Sequence, residues 1–304
     1  MLPYRSLLFV PGHKETWVAK ATTAGADAVI LDLEDSVPGA AKPVARDSVS
    51  RSVERLRLDA TTGVVVRVND LATPHIGKDL AAVVRPGLDA VLVPKVYEPS
   101  DLIALDALLR HFENEAGLAV GSVAVIPSLE TAGSLVNVEA LARGPRVTSL
   151  MAAAAKDTDI AREVGFRWSA EGRETLYLRS RVVLAARAAG LDHVVLGLWQ
   201  DIGDLEGLRR FATANRDLGF GGQVLIHPSH VSVVNEVYGY TPGELARFEA
   251  LIAAHHAAAR DCNGAVLFEG EHIDLAHVEY ARRVLSNQRR GALEPRPTQE
   301  TSER

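Results

Sequence analysis

The chain has 304 residues, 47% of them apolar, which is ample for a sizeable core, and a formal net charge of −6. With a pI near 5.9 and no Lys/Arg run longer than two, it lacks the basic stripe that a nucleic-acid surface needs to neutralise phosphates. The single Cys262 excludes an intramolecular disulfide framework and fits a reducing compartment. The apolar start, RSLLFV, is broken by Pro11 and Gly12 too early for a signal peptide, and no later run approaches a membrane span. The expectation is a soluble, cytoplasmic protein whose partners are neither nucleic acid nor membrane.

Strand-like apolar runs alternate with helical stretches along the chain. Arg5–Val10 reads as a first strand, followed by a helix over Thr16–Ala24. Ala28–Asp32 reads as a second, with a helix over Ala40–Leu56. Gly63–Val68 precedes a helix over Ile76–Val84, and Asp89–Val96 precedes one over Asp101–Phe112. Ser122–Leu129 leads into Ala132–Arg143. Arg146–Ala153 is followed by a short helix and loop over Asp157–Ala170 and a long helix over Glu174–Ala189. His193–Trp199 and its helix Leu205–Leu218 lead to an eighth strand at Gln223–Ile226. The runs do not alternate polar and apolar residues, so they are buried on both faces, as in a parallel sheet. Eight βα units in about 230 residues match a closed barrel. An open dinucleotide-binding sheet would carry a Gly-rich phosphate loop after its first strand, where this chain has VPGH. The fold expected is a (β/α)8 TIM barrel over 1–240. A C-terminal helical extension follows over 241–287, with helices over Thr241–Ala259 and Leu275–Leu285 and an extended piece over Gly264–Glu269. A polar, disordered tail is expected over 288–304.

In such a barrel the carboxyl ends of the strands share one face, where chemistry gathers. The residues falling there include His13, Asp32, Glu34, Asp35, Arg67, Asn69, Lys95, Glu130, Lys156, Asp157, Gln200, Asp201 and His227. The stretch AVILDLEDSVP is the most demanding. Asp32, Glu34 and Asp35 are three carboxylates within four residues, which repel one another unless a cation lies among them. Glu130 and Asp157 end neighbouring strands, about 4.8 Å apart, and can share a small hard cation. Mg²⁺ takes one or two protein carboxylates and fills its remaining positions with water and substrate oxygens. The competing reading is that Glu130 caps the helix after it through the dipole. Arg67 is the one charge in GVVVRVN, suited to a bidentate grip on a carboxylate or enolate oxygen, or to an ion pair with Glu34 or Asp35. Lys95 is either a Schiff-base nucleophile or a charge partner, and the surrounding acids disfavour the covalent role. His227 and His230 lack zinc-site spacing, and His227 reads first as a packed strand-end histidine.

LFVPGH, GADAVILDLEDSVP with AKPVAR behind it, VVRVN, VLVPK, IPSLETAGSLVN, SRVVLAARAAGL, DIGDLEG, LGFGGQVLIHPSHVSVVNE and FEGEHID together resemble the citrate lyase β-subunit-like family of CoA-ester lyases. That family includes malyl-CoA and citramalyl-CoA lyases. The match runs from RSLLFVPG to Leu285. The resemblance implies Mg²⁺, with Mn²⁺ the alternative ion, held by Glu130 and Asp157. Glu34 and Asp35 stand behind it and hold its waters. Arg67 binds the oxo- or hydroxy-acid part, with Lys156 and His13 the further candidates for holding substrate, and Asp32 is structural. The C-terminal segment reaches over a neighbouring subunit and supplies Asp274 as catalytic acid and base, so the implied assembly is a homo-oligomer, a trimer or a multiple of trimers. The implied reaction is reversible cleavage of a 3-hydroxyacyl thioester, carried on coenzyme A or a carrier protein, into an acyl thioester and a 2-oxo acid. Three positions depart from the pattern. Ala154-Ala155-Lys156-Asp157 stands for Gly-Ala-Glu-Asp, Leu196 for an aspartate, and Ala276 for a proline. Two other readings use the same barrel: a non-catalytic subunit that binds acyl-CoA and 2-oxo acid, and a thioester hydrolase or synthase working through the same enolate.

Overall fold

The computed structural model describes residues 3–57, 62–260 and 266–293. It resolves two compact units, a barrel unit over Pro3–Tyr238 and a C-terminal unit from Gly239 onward. In the first, eight parallel strands close on themselves: β1 Ser6–Pro11, β2 Ala28–Asp32, β3 Gly63–Arg67, β4 Ala90–Val93, β5 Ala124–Leu129, β6 Leu150–Ala152, β7 Val194–Leu196 and β8 Gly222–Leu225. The reason for the continuous apolar runs is visible in the packing. Val29, Leu31, Val64, Val66, Val91 and Val93 belong to the core under the helices. The alternate residues Ile30, Val65, Leu92 and Ile126, equally buried, face the barrel interior. The sixth strand is shorter than expected because Arg146 takes a left-handed backbone, φ 61°. Before Leu150 the chain then touches β5 only through an isolated bridge from Val147 to Val125.

The helices of this unit are α1 Glu15–Thr23, α2 Lys42–Arg57, α3 Ile76–Val83, α4 Pro99–Glu115, α5 Ala132–Val136, α6 Val138–Leu141, α7 Asp159–Val164, α8 Leu176–Ala188, α9 Leu205–Leu218 and α10 Val231–Tyr238. The single helix expected over Ala132–Arg143 is split at Asn137, whose backbone leaves the helical region (φ −95°, ψ 10°). Its side-chain amide donates to the Tyr97 carbonyl at 2.8 Å, a local alternative to continuing the helix. Helix α10 escapes a sequence reading because VSVVNEVY is rich in β-branched residues. Burial of Val231, Val234, Val237 and Tyr238 along one face settles it as a helix.

The C-terminal unit comprises α11 Pro242–Arg260, an antiparallel hairpin of β9 Val266–Phe268 and β10 Glu271–Ile273, and α12 Leu275–Leu293. Leu251, Ile273, Val278 and Ala281 form its core. One extended piece was expected where the structure has a hairpin, which turns at Glu269 and Gly270, both at positive φ. The last helix also continues past 287, where the extension was expected to end. Cys262 and residues 294–304 lie outside the described residues.

Candidate active site

The carboxyl ends of the barrel strands open into a cavity of about 660 Å³ whose lining includes Phe9, Arg67, Glu130, Met151, Asp157 and His227. Its organising pair is Asp32 and Arg67, the last residues of β2 and β3 and direct partners in register. The guanidinium grips Asp32 in bidentate fashion, Nε to Oδ1 and Nη2 to Oδ2, both at 2.6 Å. Its remaining nitrogen, Nη1, lies 3.1 Å from Glu34 and 3.8 Å from Asp35, and the Phe9 ring lies 4.7 Å from the guanidinium carbon. Asp32 also accepts the backbone N–H groups of Glu34 and Ser36, so the LDLEDS loop is wound around its carboxylate. Gly12 is required here, because a Cβ on it would stand 2.5 Å from the Asp32 carbonyl.

AKPVAR braces this loop from outside. Lys42 Nζ donates to the carbonyls of Leu33 (2.8 Å) and Glu34 (3.1 Å) and to Asn69 Oδ1 (2.6 Å). Asn69 Nδ2 and Arg46 Nε both donate to the fully buried Asp79, each at 2.6 Å. On the far side, Lys95 Nζ meets the other oxygen of Glu34 at 3.0 Å. The left-handed backbone of Lys95, φ 53°, turns its N–H onto Glu130 Oε1 at 3.0 Å. Ser128 Oγ donates to Glu130 Oε2 at 3.0 Å. Asp157 also sits at φ 53°. Non-glycine residues held in this region carry strain, of order 1–3 kcal/mol each, that the surrounding structure must offset.

The charges do not balance evenly. Burial works against the Asp32 carboxylate, but Arg67 and Ser36 more than offset it and hold its pKa below the usual range. Burial likewise opposes the Arg67 charge, and Asp32, Glu34 and Asp35 together raise its pKa. Burial and the neighbouring Asp35 raise the Glu34 pKa despite Arg67 and Lys95. Burial, then Glu34, pushes Glu130 up to about 7. Lys95, opposed by burial but paired with Glu34, is raised and stays a cation, which removes the Schiff-base reading.

A family model described as HpcH/HpaI aldolase/citrate lyase matches residues 5–228. The chain belongs to that family. Among its relatives, a (3S)-malyl-CoA thioesterase of Cereibacter sphaeroides is 33% identical over 284 residues, covering 93% of this chain and 94% of the relative. The crystal structure of CitE from Mycobacterium tuberculosis with magnesium, acetoacetate and coenzyme A superposes with a TM-score of 0.69 at 30% identity, covering 93% of this chain and 97% of that one. The citrate lyase β subunit from M. tuberculosis with oxaloacetate and magnesium gives 0.63 at 32% identity, covering 77% and 96%. Lyases and a thioesterase thus share this barrel.

Of the residues expected at the site, Arg67, Asp35, Glu130 and Asp157 line the cavity, and Glu34 reaches it through Arg67 and Lys95. Asp32 lines the cavity too, and it rather than Glu34 or Asp35 is Arg67's main partner. Lys156 is outside the cavity lining, although Ala155 and Asp157 on either side belong to it; Lys156 and Asp157 form a turn, with Asp157 in left-handed backbone. The Lys156 carbonyl accepts from Gln200 Nε2 at 2.8 Å. His13 is also absent from the lining, and its Nδ1 is buried without a hydrogen-bond partner. Asp274 belongs to the C-terminal unit, where its Oδ1 accepts the N–H of Ala276 at 3.0 Å and lies 2.8 Å from His277 Nδ1. His277 lowers its pKa. Trp17 and Lys20 of α1, with Thr158 and Asp159, were missed as lining residues. The half-exposed Trp17 was the available signal, since a solvent-facing tryptophan on an amphipathic helix often marks a contact surface.

Among the described residues no group of three or more His, Cys, Asp or Glu side chains forms a ready-made metal cage. A hard ion such as Mg²⁺ needs only one or two protein carboxylates. Glu130, buried beside Glu34 with its pKa pushed up to about 7, and Asp157, in the same cavity lining, are such a pair. A divalent cation would relieve the repulsion between Glu130 and Glu34, so the residues fit Mg²⁺.

Proposed function

We propose that the protein is a Mg²⁺-dependent carbon–carbon lyase. It cleaves a 3-hydroxyacyl thioester of the malyl-CoA, citramalyl-CoA or citryl type, reversibly, into an acetyl or acyl thioester and a 2-oxo acid. The observation that carries this reading is one cavity holding an arginine locked by Asp32 beside a buried carboxylate, Glu130, whose pKa is pushed up to about 7. Mg²⁺ held by Glu130 and Asp157 would supply Lewis acidity toward the substrate's hydroxyl and carboxylate oxygens. Arg67 orients the oxo-acid portion. Its side chain is fixed on one side by Asp32 and on another by Phe9, so little entropy is lost when substrate docks. Glu34 and Asp35 hold the water and charge around that end. Asp274, from a neighbouring copy of the chain in a trimer, protonates the α-carbon of the released thioester enolate and removes that proton in the condensation direction.

The thioesterase name of a close relative favours a second reading, hydrolysis of the thioester in the same cavity. Assay with malyl-CoA and citramalyl-CoA, with and without Mg²⁺, separates the two. Acetyl-CoA with glyoxylate or pyruvate marks cleavage, whereas free CoA with the intact hydroxy acid marks hydrolysis. Neither product, with acyl-CoA still bound, sinks both. Mixing Asp274→Ala with Arg67→Ala protein restores activity if Asp274 works across subunits. No recovery in mixed oligomers places the whole site in one chain.

A further inference from the structure

His227, just beyond β8, reads from the sequence first as a packing histidine, but it is among the residues that line the cavity. Its Nδ1 is engaged from behind. The backbone N–H of Ser229 donates to it at 3.2 Å, and Ser229 Oγ lies 2.7 Å from the same nitrogen. A backbone N–H can only donate, so Nδ1 is the acceptor and the neutral ring carries its proton on Nε2. Nε2 has no partner among the described residues, whose contacts to this ring are those with Ser229 and an edge-on packing against His230, centroids 6.2 Å apart. His230 is completely buried and holds the ring plane in place. The result is an oriented, unused N–H donor in a cavity that also holds Arg67 and Glu130.

The geometry points to His227 Nε2–H as the hydrogen-bond donor to the thioester carbonyl oxygen of the substrate, an inference that rests on the acyl-thioester function proposed above. The closed strand order puts β8 three strands from β3, which carries Arg67, and three from β5, which carries Glu130. The hydroxy-acid end of the substrate is taken by those groups, and the thioester end is left for the β8 side, where Ile226, Leu198 and Pro228 make the wall apolar. The substrate's 3-hydroxyl gives its proton to solvent water and becomes the carbonyl of the oxo acid as the C–C bond breaks, and the electron pair of that bond moves onto the thioester carbonyl oxygen. His227 stabilises that charge through its N–H and keeps its proton, while the α-carbon takes its proton from the separate acid. In hydrolysis the same donor would face the oxyanion of the tetrahedral adduct. A fixed donor in a low-dielectric wall is worth most where charge develops during reaction.

His227 is also the N-cap of a 3-10 turn, Pro228–His230, so the test must separate capping from catalysis. In His227→Asn the Oδ1 still accepts the Ser229 N–H, as asparagine does at N-caps, but nothing reaches the Nε2 position. His227→Gln restores an N–H near that position. The expected result is a fall in kcat of about 10²-fold for His227→Asn with KM within about threefold, and partial recovery in His227→Gln. The infrared carbonyl stretch of bound acetyl-CoA should lie at lower frequency in the wild type than in His227→Asn. A wild-type kcat in His227→Asn, or a carbonyl stretch that does not differ, overturns the assignment and leaves His227 a cap. Wild-type protein that binds acetyl-CoA but turns over no thioester overturns the proposed function alone, because the carbonyl stretch still reads the hydrogen bond.

Discussion

The barrel has an arginine network at each end, and the two are built on opposite principles. At the amino end of β6, Arg146 meets Glu113 in bidentate fashion (2.7 and 2.9 Å) and also meets Asp106. Glu113 additionally accepts the N–H groups of Gly121 and Val123, each at 2.9 Å. Burial opposes both carboxylates, yet Arg146 holds both pKa values down, helped by Arg110 at Asp106 and by these N–H donors at Glu113. At the carboxyl ends, Arg67 satisfies Asp32 but leaves Glu34 and Glu130 raised. A finished network contributes to stability. An unfinished one stores electrostatic cost that a cation or substrate can relieve, which is why perturbed groups mark functional sites.

The contrast can be broken most directly at the unfinished end. Glu130→Ala or Asp157→Ala should lower turnover by about 10³-fold or more and abolish the Mg²⁺ signal in titration calorimetry, with urea unfolding little changed. Mg²⁺ affinity kept in both variants would move the ion elsewhere. At the finished end, Arg146→Met leaves Glu113 buried and unpaired. It should cost about 3–5 kcal/mol in urea unfolding with unchanged activity per folded molecule; a selective loss of kcat would mean the two ends are coupled.

The smallest effect is a pH response of opposite sign at the two ends. Glu130 has a folded pKa of about 7, above its ordinary 4.5. The native state therefore holds the extra proton, and metal-free stability falls as pH rises between those values. Glu113 has a lowered folded pKa, so its contribution is present above the ordinary carboxylate value and is lost as pH falls through the folded one. Metal-free Glu130→Gln should exceed the wild type at pH 8 by about 3 kcal/mol and lose most of that advantage at pH 4.5. Equal stability across the range would show that Glu130 is charged at no cost.

Much of this was legible in the residues themselves. The β2 strand was readable to the residue, because a stretch buried on both faces admits no polar side chain until it ends. Glu130, directly after β5, and Asp157, beyond β6, were readable as acids delivered to the carboxyl rim, where both line the cavity. Lys156 is outside the cavity lining, and its position next to Asp157 in the sequence says nothing of which way a loop residue faces. The Arg146 network was invisible because its partners are separated by 33 and 40 residues.

The sequence by itself determined the barrel, the family, and the set of charged groups delivered to its carboxyl rim, because apolar periodicity and strand ends are local properties. Only the tertiary structure decided how those groups share their charge. It gave Asp32 the larger share of Arg67, buried Glu130 beside Glu34, and turned Lys95 and Asp157 into left-handed backbone. It also engaged one nitrogen of the cavity-lining His227 with Ser229 and gave the other no partner among the described residues. Such assignments depend on distances between strands far apart in the chain and on burial that no single segment sets, and a pKa is decided by both.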